Sequence, residues 1–286
     1  MIELKEMPFS GPLADALQAP CAGPEFYWLG QAGFLFRSPG LTWAIDPYLS
    51  DRLAEKYRRH EFSHERMMPA PLSAPEMPEL DWLFCTHHHG DHLDGPTLEW
   101  VAVNRPRTRF IVPAGIATEV SRLALPNDRV LLAEADRPLT LAAGFEVTPV
   151  PAAHEAFGHD AAGRHRFLGY VFCWGPGPFK LYHSGDSIPY PGLTERLTTL
   201  GPEVALLPVN GRRRELTERN IAGNFSLEEA IELCRGARVP VMVAHHFGMF
   251  AFNTTDPALI DEEARAAAPV VRVLRAEVGV RYCLQA

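Results

Sequence analysis

The chain has 286 residues, of which 47% are hydrophobic and 22% charged, and its net charge is −8. This is the composition of a folded soluble protein long enough to bury a substantial core. An acidic overall field repels polyanions, so no nucleic-acid partner is expected unless a local basic patch overrides it. The five cysteines, Cys21, Cys85, Cys173, Cys234 and Cys283, are odd in number, widely spaced and never in a C-x-x-C pair. They are expected to be reduced thiols. No apolar leader and no stretch of membrane-spanning length is visible, so a cytoplasmic protein with no membrane partner is expected.

In chain order, residues 1–25 are rich in Pro and Gly and are expected to form an irregular arm. Short β-type runs follow at Phe26 to Gly30, Gly33 to Arg37 and Leu41 to Asp46, separated by turn residues as in an antiparallel meander. Residues 49–80 interrupt this pattern with a polar, helix-like stretch (DRLAEKYRRHEFSHERMM) and a Pro-rich piece, which reads as an insertion. From Asp81 strands alternate with helices. Strands are expected at Trp82 to Thr86, Arg109 to Val112, Val147 to Val150, Phe167 to Trp174, Phe179 to His183, Val204 to Val209, Val239 to Ala244, Val270 to Leu274 and Val278 to Cys283. Helices are expected at Thr97 to Val103, Ile116 to Leu123, Thr194 to Leu200, Ser226 to Arg235 and Pro257 to Ala267. Asn224 or Ser226 would cap the fourth helix, with Glu228 and Glu229 in its first turn. The pattern suits an α/β fold in which two mixed sheets pack together with helices outside, a single domain over 1–286.

The stretch "LFCTHHHGDHLDG" (83–95) places histidines and aspartates at the end of an apolar strand. If the strand persists, His87 and His89 share a side and His88 points away. Gly90 would permit a tight turn that brings Asp91 and His92 back to the same point. Imidazole and carboxylate suit Zn²⁺, Mn²⁺ or Fe. The competing reading is a histidine-rich surface loop.

The spacing His87-x-His89-x-Asp91-His92-x-x-Gly95 resembles the signature of the metallo-β-lactamase fold hydrolases. That resemblance implies a four-layer αββα sandwich and further ligands at strand ends. Asp46 in "TWAIDPYLS", His154 in "VTPVPAAHE" and Asp186 in "LYHSGDS" fit those places. In "VMVAHHFGMF" either His245 or His246 could be the last ligand, and the frame His246-Phe247-Gly248-Met249-Phe250 favours His246. The family pattern then gives one divalent metal His87, His89 and His154, and a second Asp91, His92 and His246, with Asp186 bridging. It implies hydrolysis by a metal-activated hydroxide, with Asp91 carrying a proton to the leaving group and Asp46 orienting a histidine ligand. Within that superfamily the chain resembles the L-ascorbate-6-phosphate lactonase type in "WLGQAGFLF", "LFCTHHHGDHLD", "GYVFCWGPGPFKLYHSGDS" and "VALLPVNGR". It departs from that type at His154, where the lactonase has an acidic residue.

The resemblance implies a small-molecule substrate, a (phospho)sugar lactone best of all, with Asn210 and the run Arg212, Arg213 and Arg214 as candidates to hold its anionic group. Solvated loop charge is the competing reading of those arginines. A phosphodiesterase of the same fold and a non-catalytic metal-binding protein are the alternatives. The sequence leaves a homo-oligomer open.

Overall fold

Between residues 25 and 45 most side chains are apolar, and together with its turns this composition builds the centre of the first sheet. In the computed structural model, which describes residues 3–175, 177–268 and 270–285, the described strands form two mixed sheets, of 8 and 7 strands. Each sheet is the centre of one of two compact units.

The first unit holds β1 (Glu3–Pro8), β2 (Glu25–Gly30), β3 (Gly33–Ser38), β4 (Leu41–Ile45), β5 (Trp82–Phe84), β6 (Arg109–Pro113) and β7 (Val130–Ala133). The second holds β8 (Leu139–Ala142), β9 (Phe145–Pro151), β10 (Leu168–Trp174), β11 (Phe179–His183), β12 (Val204–Pro208), β13 (Val241–His245) and β14 (Arg272–Arg275). The chain then returns to the first unit as β15 (Val280–Gln285). The first sheet runs β1-β15-β2-β3-β4-β5-β6-β7. It is antiparallel as far as β4 and parallel from β4 to β7. Both faces of β2 and β3 are buried. One carries Tyr27, Leu29 and Leu35 against Leu98, Val101 and Ala102 of the helix Gly95–Asn104. The other carries Phe26 stacked on Tyr282 and Phe36 stacked on Trp43, each pair 4.9 Å apart. Burying each such ring contributes about 1.5–3 kcal/mol.

The second sheet runs β14-β13-β12-β11-β10-β9-β8, parallel over β11 to β14 and antiparallel over β8 to β11. In the helix Leu227–Ala237, Ala230, Ile231, Leu233, Cys234 and Ala237 are buried. Ser226 is its cap: its hydroxyl accepts from Glu229 N–H, and the Glu229 carboxylate accepts from Ser226 N–H. Because Oγ and carboxylate satisfy each other's backbone donors, this end is better defined than Asn224 would have made it.

Three expectations are corrected. The arm 1–25 is not irregular throughout: β1 pairs with β15 from Glu3↔Gln285 to Pro8↔Val280, and a short helix covers Leu13–Ala16. Residues 1 and 2 lie outside the described residues. β1 has only Leu4 buried, and as an edge strand with Lys and Glu outward it carries no apolar alternation to read. In the insertion the helix covers only Arg52–Lys56. Beyond it Arg66 donates to the carbonyls of Tyr48, Ser50 and Met68, which fixes this chain without a helix. The expected helix Ile116 to Leu123 is a 3₁₀ turn, Ala114–Ile116, followed by one α-turn, Ala117–Val120. No disulfide forms among the described residues, and no helix among them is long and apolar enough to cross a membrane.

Candidate metal centre

Each unit carries its own set of histidine and aspartate side chains, and each set is best described within its own unit. In the first, β5 ends at Phe84, and residues 86–92 form a run of bends and turns closed by His92 N–H and Leu93 N–H donating to His89 C=O. The strand does not persist through the histidines, yet His87 and His89 still adjoin, with ring centroids 4.5 Å apart, while His87 and His88 are 6.3 Å apart. Gly90 packs closely on the insertion: a Cβ there would meet Leu53 Cδ2 at 2.7 Å, so the leucine side chain would have to shift. Its φ is not positive, so the turn itself does not require glycine at this position.

Behind the histidines lies a continuous hydrogen-bond chain. Asp46, fully buried at the end of β4, accepts from Thr86 N–H at 2.8 Å and from Thr86 Oγ1–H at 2.6 Å. It faces His92 Nδ1 at 2.7 Å. An ionised carboxylate only accepts, so His92 carries its proton on Nδ1. Thr86 Oγ1 spends its proton on Asp46 and therefore accepts from His87 Nδ1 at 3.0 Å. One carboxylate thus fixes the tautomer of two rings and leaves both Nε2 atoms as the basic nitrogens, the arrangement that orients metal-binding imidazoles. His87 and His92 are both fully buried. Asp91 Oδ2 lies 3.7 Å from His92 Nε2 and accepts from Gln31 Nε2 at 2.7 Å. Asp94 ties the loop to the insertion, accepting from the backbone of Leu49 and Ser50 and from the Ser50 and Thr97 hydroxyls.

In the second unit His154, Asp186 and His246 come together from three strand ends. Asp186 Oδ2 lies 3.8 Å from His154 Nε2 and 3.2 Å from His246 Nε2, and all three residues are buried. Ile188 N–H donates to Ala153 C=O and Ala153 N–H to Ser187 Oγ, so the loop after β9 is bonded to the loop after β11. His183 Nδ1 accepts from Gly185 N–H at 3.0 Å and shapes the turn before Asp186. Gly169 on β10 is required by the same turn, since a Cβ there would meet the backbone oxygens of His183 and Ser184 at 2.7 and 2.8 Å. His245 stacks on His183 at 5.1 Å. Burial, followed by the neighbouring His183 and His246, holds its pKa well below the ordinary imidazole value.

Of the residues with positive φ other than glycine, Gln31, Asp46, Glu155 and His246 all lie in or beside these two sets. Left-handed backbone costs such residues free energy that the surrounding contacts must offset, and it concentrates at functional places.

The expected anion-binding residues are already engaged. Asn210 is buried, donates to Asn253 Oδ1 and accepts from Asn224 Nδ2. Arg212 pairs with Glu229 and donates to Asn224 C=O. Arg214 pairs with Glu218 at 2.7 Å. Among the described residues Arg213 pairs only with Glu215, at 3.8 Å. The loop that carries them is fastened beside His154, because Glu155 accepts from Thr217 Oγ1 and Gly223 N–H. Thr86, Gln31, Ser187 and Asp94 were not expected from the sequence. Their only signal is position, since each flanks a strand end or the histidine loop.

Donor sets of imidazole and carboxylate suit Zn²⁺, Mn²⁺ or Fe, and in the first set His87 and His92 are buried with their tautomers fixed. Fold and site together are those of a metal-dependent hydrolase. The chain belongs to the beta-lactamase superfamily domain family, whose model matches residues 43–247. It is similar to a UPF0173 metal-dependent hydrolase of Myxococcus xanthus, 28% identical over 97% of this chain and 90% of that protein. Among solved structures it is similar to the metallo hydrolase Igni18 of Ignicoccus hospitalis, with a TM-score of 0.65, 20% identity and coverage of 92% of this chain and 98% of that one. It is also similar to an isothiocyanate hydrolase from Delia radicum gut bacteria, with a TM-score of 0.72, 16% identity and coverage of 92% and 100%.

Proposed function

We propose that the two sets serve one centre of two divalent cations, with His87, His89 and His154 on one, Asp91, His92 and His246 on the other, and Asp186 shared. The observation that supports metal binding is the chain His87–Thr86–Asp46–His92, which points two basic nitrogens away from their supporting carboxylate, and the pairing of the two sets rests on the family resemblance. Zinc or manganese suits the donors best, and iron also fits. When bound, the cations supply Lewis acidity and bring the pKa of a water toward neutrality. The protein's own contributions are orientation by Asp46 and proton transfer to the leaving group by Asp91.

The substrate we propose is a small-molecule lactone, a (phospho)sugar lactone in particular, hydrolysed in the cytoplasm. The support is the resemblance through "YHSGDS", whose geometry His183 and Gly169 explain. Of the proposed anion anchors, Arg213 has the guanidinium least committed within the protein, and its loop is fastened beside His154. Asn210 holds that loop through Asn224 and Asn253. Arg213→Ala should raise KM for a phosphorylated substrate by about tenfold or more with little change in kcat, because an anchor remote from the bond broken binds ground and transition states alike.

The test is a panel of sugar lactones, bis-p-nitrophenyl phosphate and thioesters, assayed on protein loaded in turn with Zn²⁺ and Mn²⁺. Lactone turnover supports the reading. Turnover of the phosphodiester alone would replace the substrate class, and silence across the panel would favour a non-catalytic metal protein.

A further inference from the structure

The turn between β2 and β3, Gly30-Gln31-Ala32-Gly33, delivers one side chain to Asp91 from 60 residues away. Gln31 is fully buried and held at φ +50. Its carbonyl accepts from the Trp28 indole N–H at 3.0 Å, which fixes the backbone from which the side chain projects. The contact with Asp91 Oδ2, at 2.7 Å, identifies the amide end: a carboxylate accepts, so Nε2 must face it. The other end, Oε1, is buried and has no hydrogen-bond partner among the described residues. Burying an amide with one end unmatched is unfavourable, and left-handed backbone at a residue other than glycine adds to that cost. A residue needed only to fill space would be served by an apolar side chain, which leaves no buried polar atom unmatched.

We propose that Gln31 is the positioning residue of Asp91: its Nε2–H holds Oδ2, the oxygen that lies 3.7 Å from His92 Nε2, and so sets the rotation in which the carboxylate would meet a metal ion. This rests on the reading of Asp91 as a ligand. It makes a specific demand on the side chain at 31, which must donate a hydrogen bond at this reach while its backbone holds a positive φ.

The experiment is a competition titration of Zn²⁺ against a chromophoric chelator, on the full-length protein and on Gln31→Met, Gln31→His and Asp91→Ala. Melting curves of the metal-free proteins should accompany it. Methionine keeps the volume and removes the donor. Histidine keeps a ring N–H and is among the residues that tolerate positive φ. The expected result is two ions per wild-type chain and about one for Asp91→Ala. Gln31→Met should bind the weaker ion about 10–100-fold less tightly, the usual cost of losing a partner to a ligand, and Gln31→His should recover most of that loss. Wild-type affinity in Gln31→Met together with a lost ion in Asp91→Ala would overturn the role of Gln31 and leave the ligand reading intact. Equal losses in Gln31→Met and Gln31→His would also overturn it, because shape and not the donated hydrogen bond would then be what matters. Two ions in Asp91→Ala would overturn the ligand reading itself. If Gln31→Met does not fold, the comparison of Gln31→His with wild type decides, and an affinity loss there as large as that predicted for Gln31→Met contradicts the proposal.

Discussion

In the first unit four of the proposed ligands lie within six residues, His87 to His92, and one buried carboxylate supports two of them through Thr86. In the second unit His154, Asp186 and His246 each end or follow a different strand, and each is set by its own local bonds: Ser187 to the 153 backbone, His183 to the 185 backbone, and His246 by its own left-handed φ. The first set shares one support, whereas the second divides its supports. Damage behind the first set should therefore reach several ligands at once, and damage behind the second should stay local.

The largest expected effect is the loss of a ligand in the second set. His246→Ala should lose one metal ion per chain and nearly all hydrolysis, a loss greater than the roughly 100-fold that removing an outer partner costs. His245→Ala, which removes a ring packed on His183 rather than one facing Asp186, should keep both ions. Metal content by atomic emission checks the pair, and the reverse outcome would show that the neighbouring histidine is the ligand.

Next comes the shared support. Asp46→Asn leaves the shape but cannot accept from both Thr86 and His92 Nδ1 as the carboxylate does, so zinc affinity should fall by about 100-fold, at the upper end for an outer partner. Asp46→Ala should in addition destabilise the fold by about 3 kcal/mol, because three buried donors lose their acceptor. Denaturant titration of the metal-free protein measures this, and a change under 1 kcal/mol would mean that the chain through Thr86 is not under load.

Smaller still is the local support of the second set. Ser187→Ala should weaken metal binding by about tenfold, the lower end of the same range, because only the backbone before His154 loses a partner. If Ser187→Ala costs as much as Asp46→Asn, the contrast between shared and divided supports fails.

Much of this was legible in the sequence, for physical reasons. The histidine loop is contiguous, so its spacing is readable. Asp46 and Asp186 stand at strand ends marked by turn residues, and Ser226 with Glu229 announces the start of a helix. Thr86, Gln31 and Ser187 were not legible, because their meaning is a hydrogen bond to residues 34 to 60 positions away and a polar side chain carries no sign of its partner. The arginines of 212–214 were legible as charge, but their pairing with Glu229, Glu215 and Glu218 was not. β1 escaped notice because an edge strand with one buried residue has no apolar period.

The smallest expected effect concerns the insertion. His64 stacks on Tyr57 at 4.3 Å and touches Phe250 and Phe252 edge-on. Burial lowers its pKa, against the opposing pull of the Phe62 carbonyl and the charge of Asp91 and with small help from Lys56 and His60. A histidine with a lowered folded pKa contributes stability that is present above its unfolded value, about 6.5, and lost as pH falls below it. The melting temperature of wild type should therefore drop more steeply between pH 7 and pH 5 than that of His64→Phe. Parallel curves would show that the ring titrates alike in folded and unfolded chains.

The central claim is that the two sets hold one pair of metal ions. An anomalous-difference map of zinc-loaded crystals, collected at the zinc edge, tests it most directly. The account predicts two peaks, one ligated by His87, His89 and His154 and the other by Asp91, His92 and His246, with Asp186 bound to both. Peaks confined to one set, or a zinc ion ligated by His245 in place of His246, would contradict it.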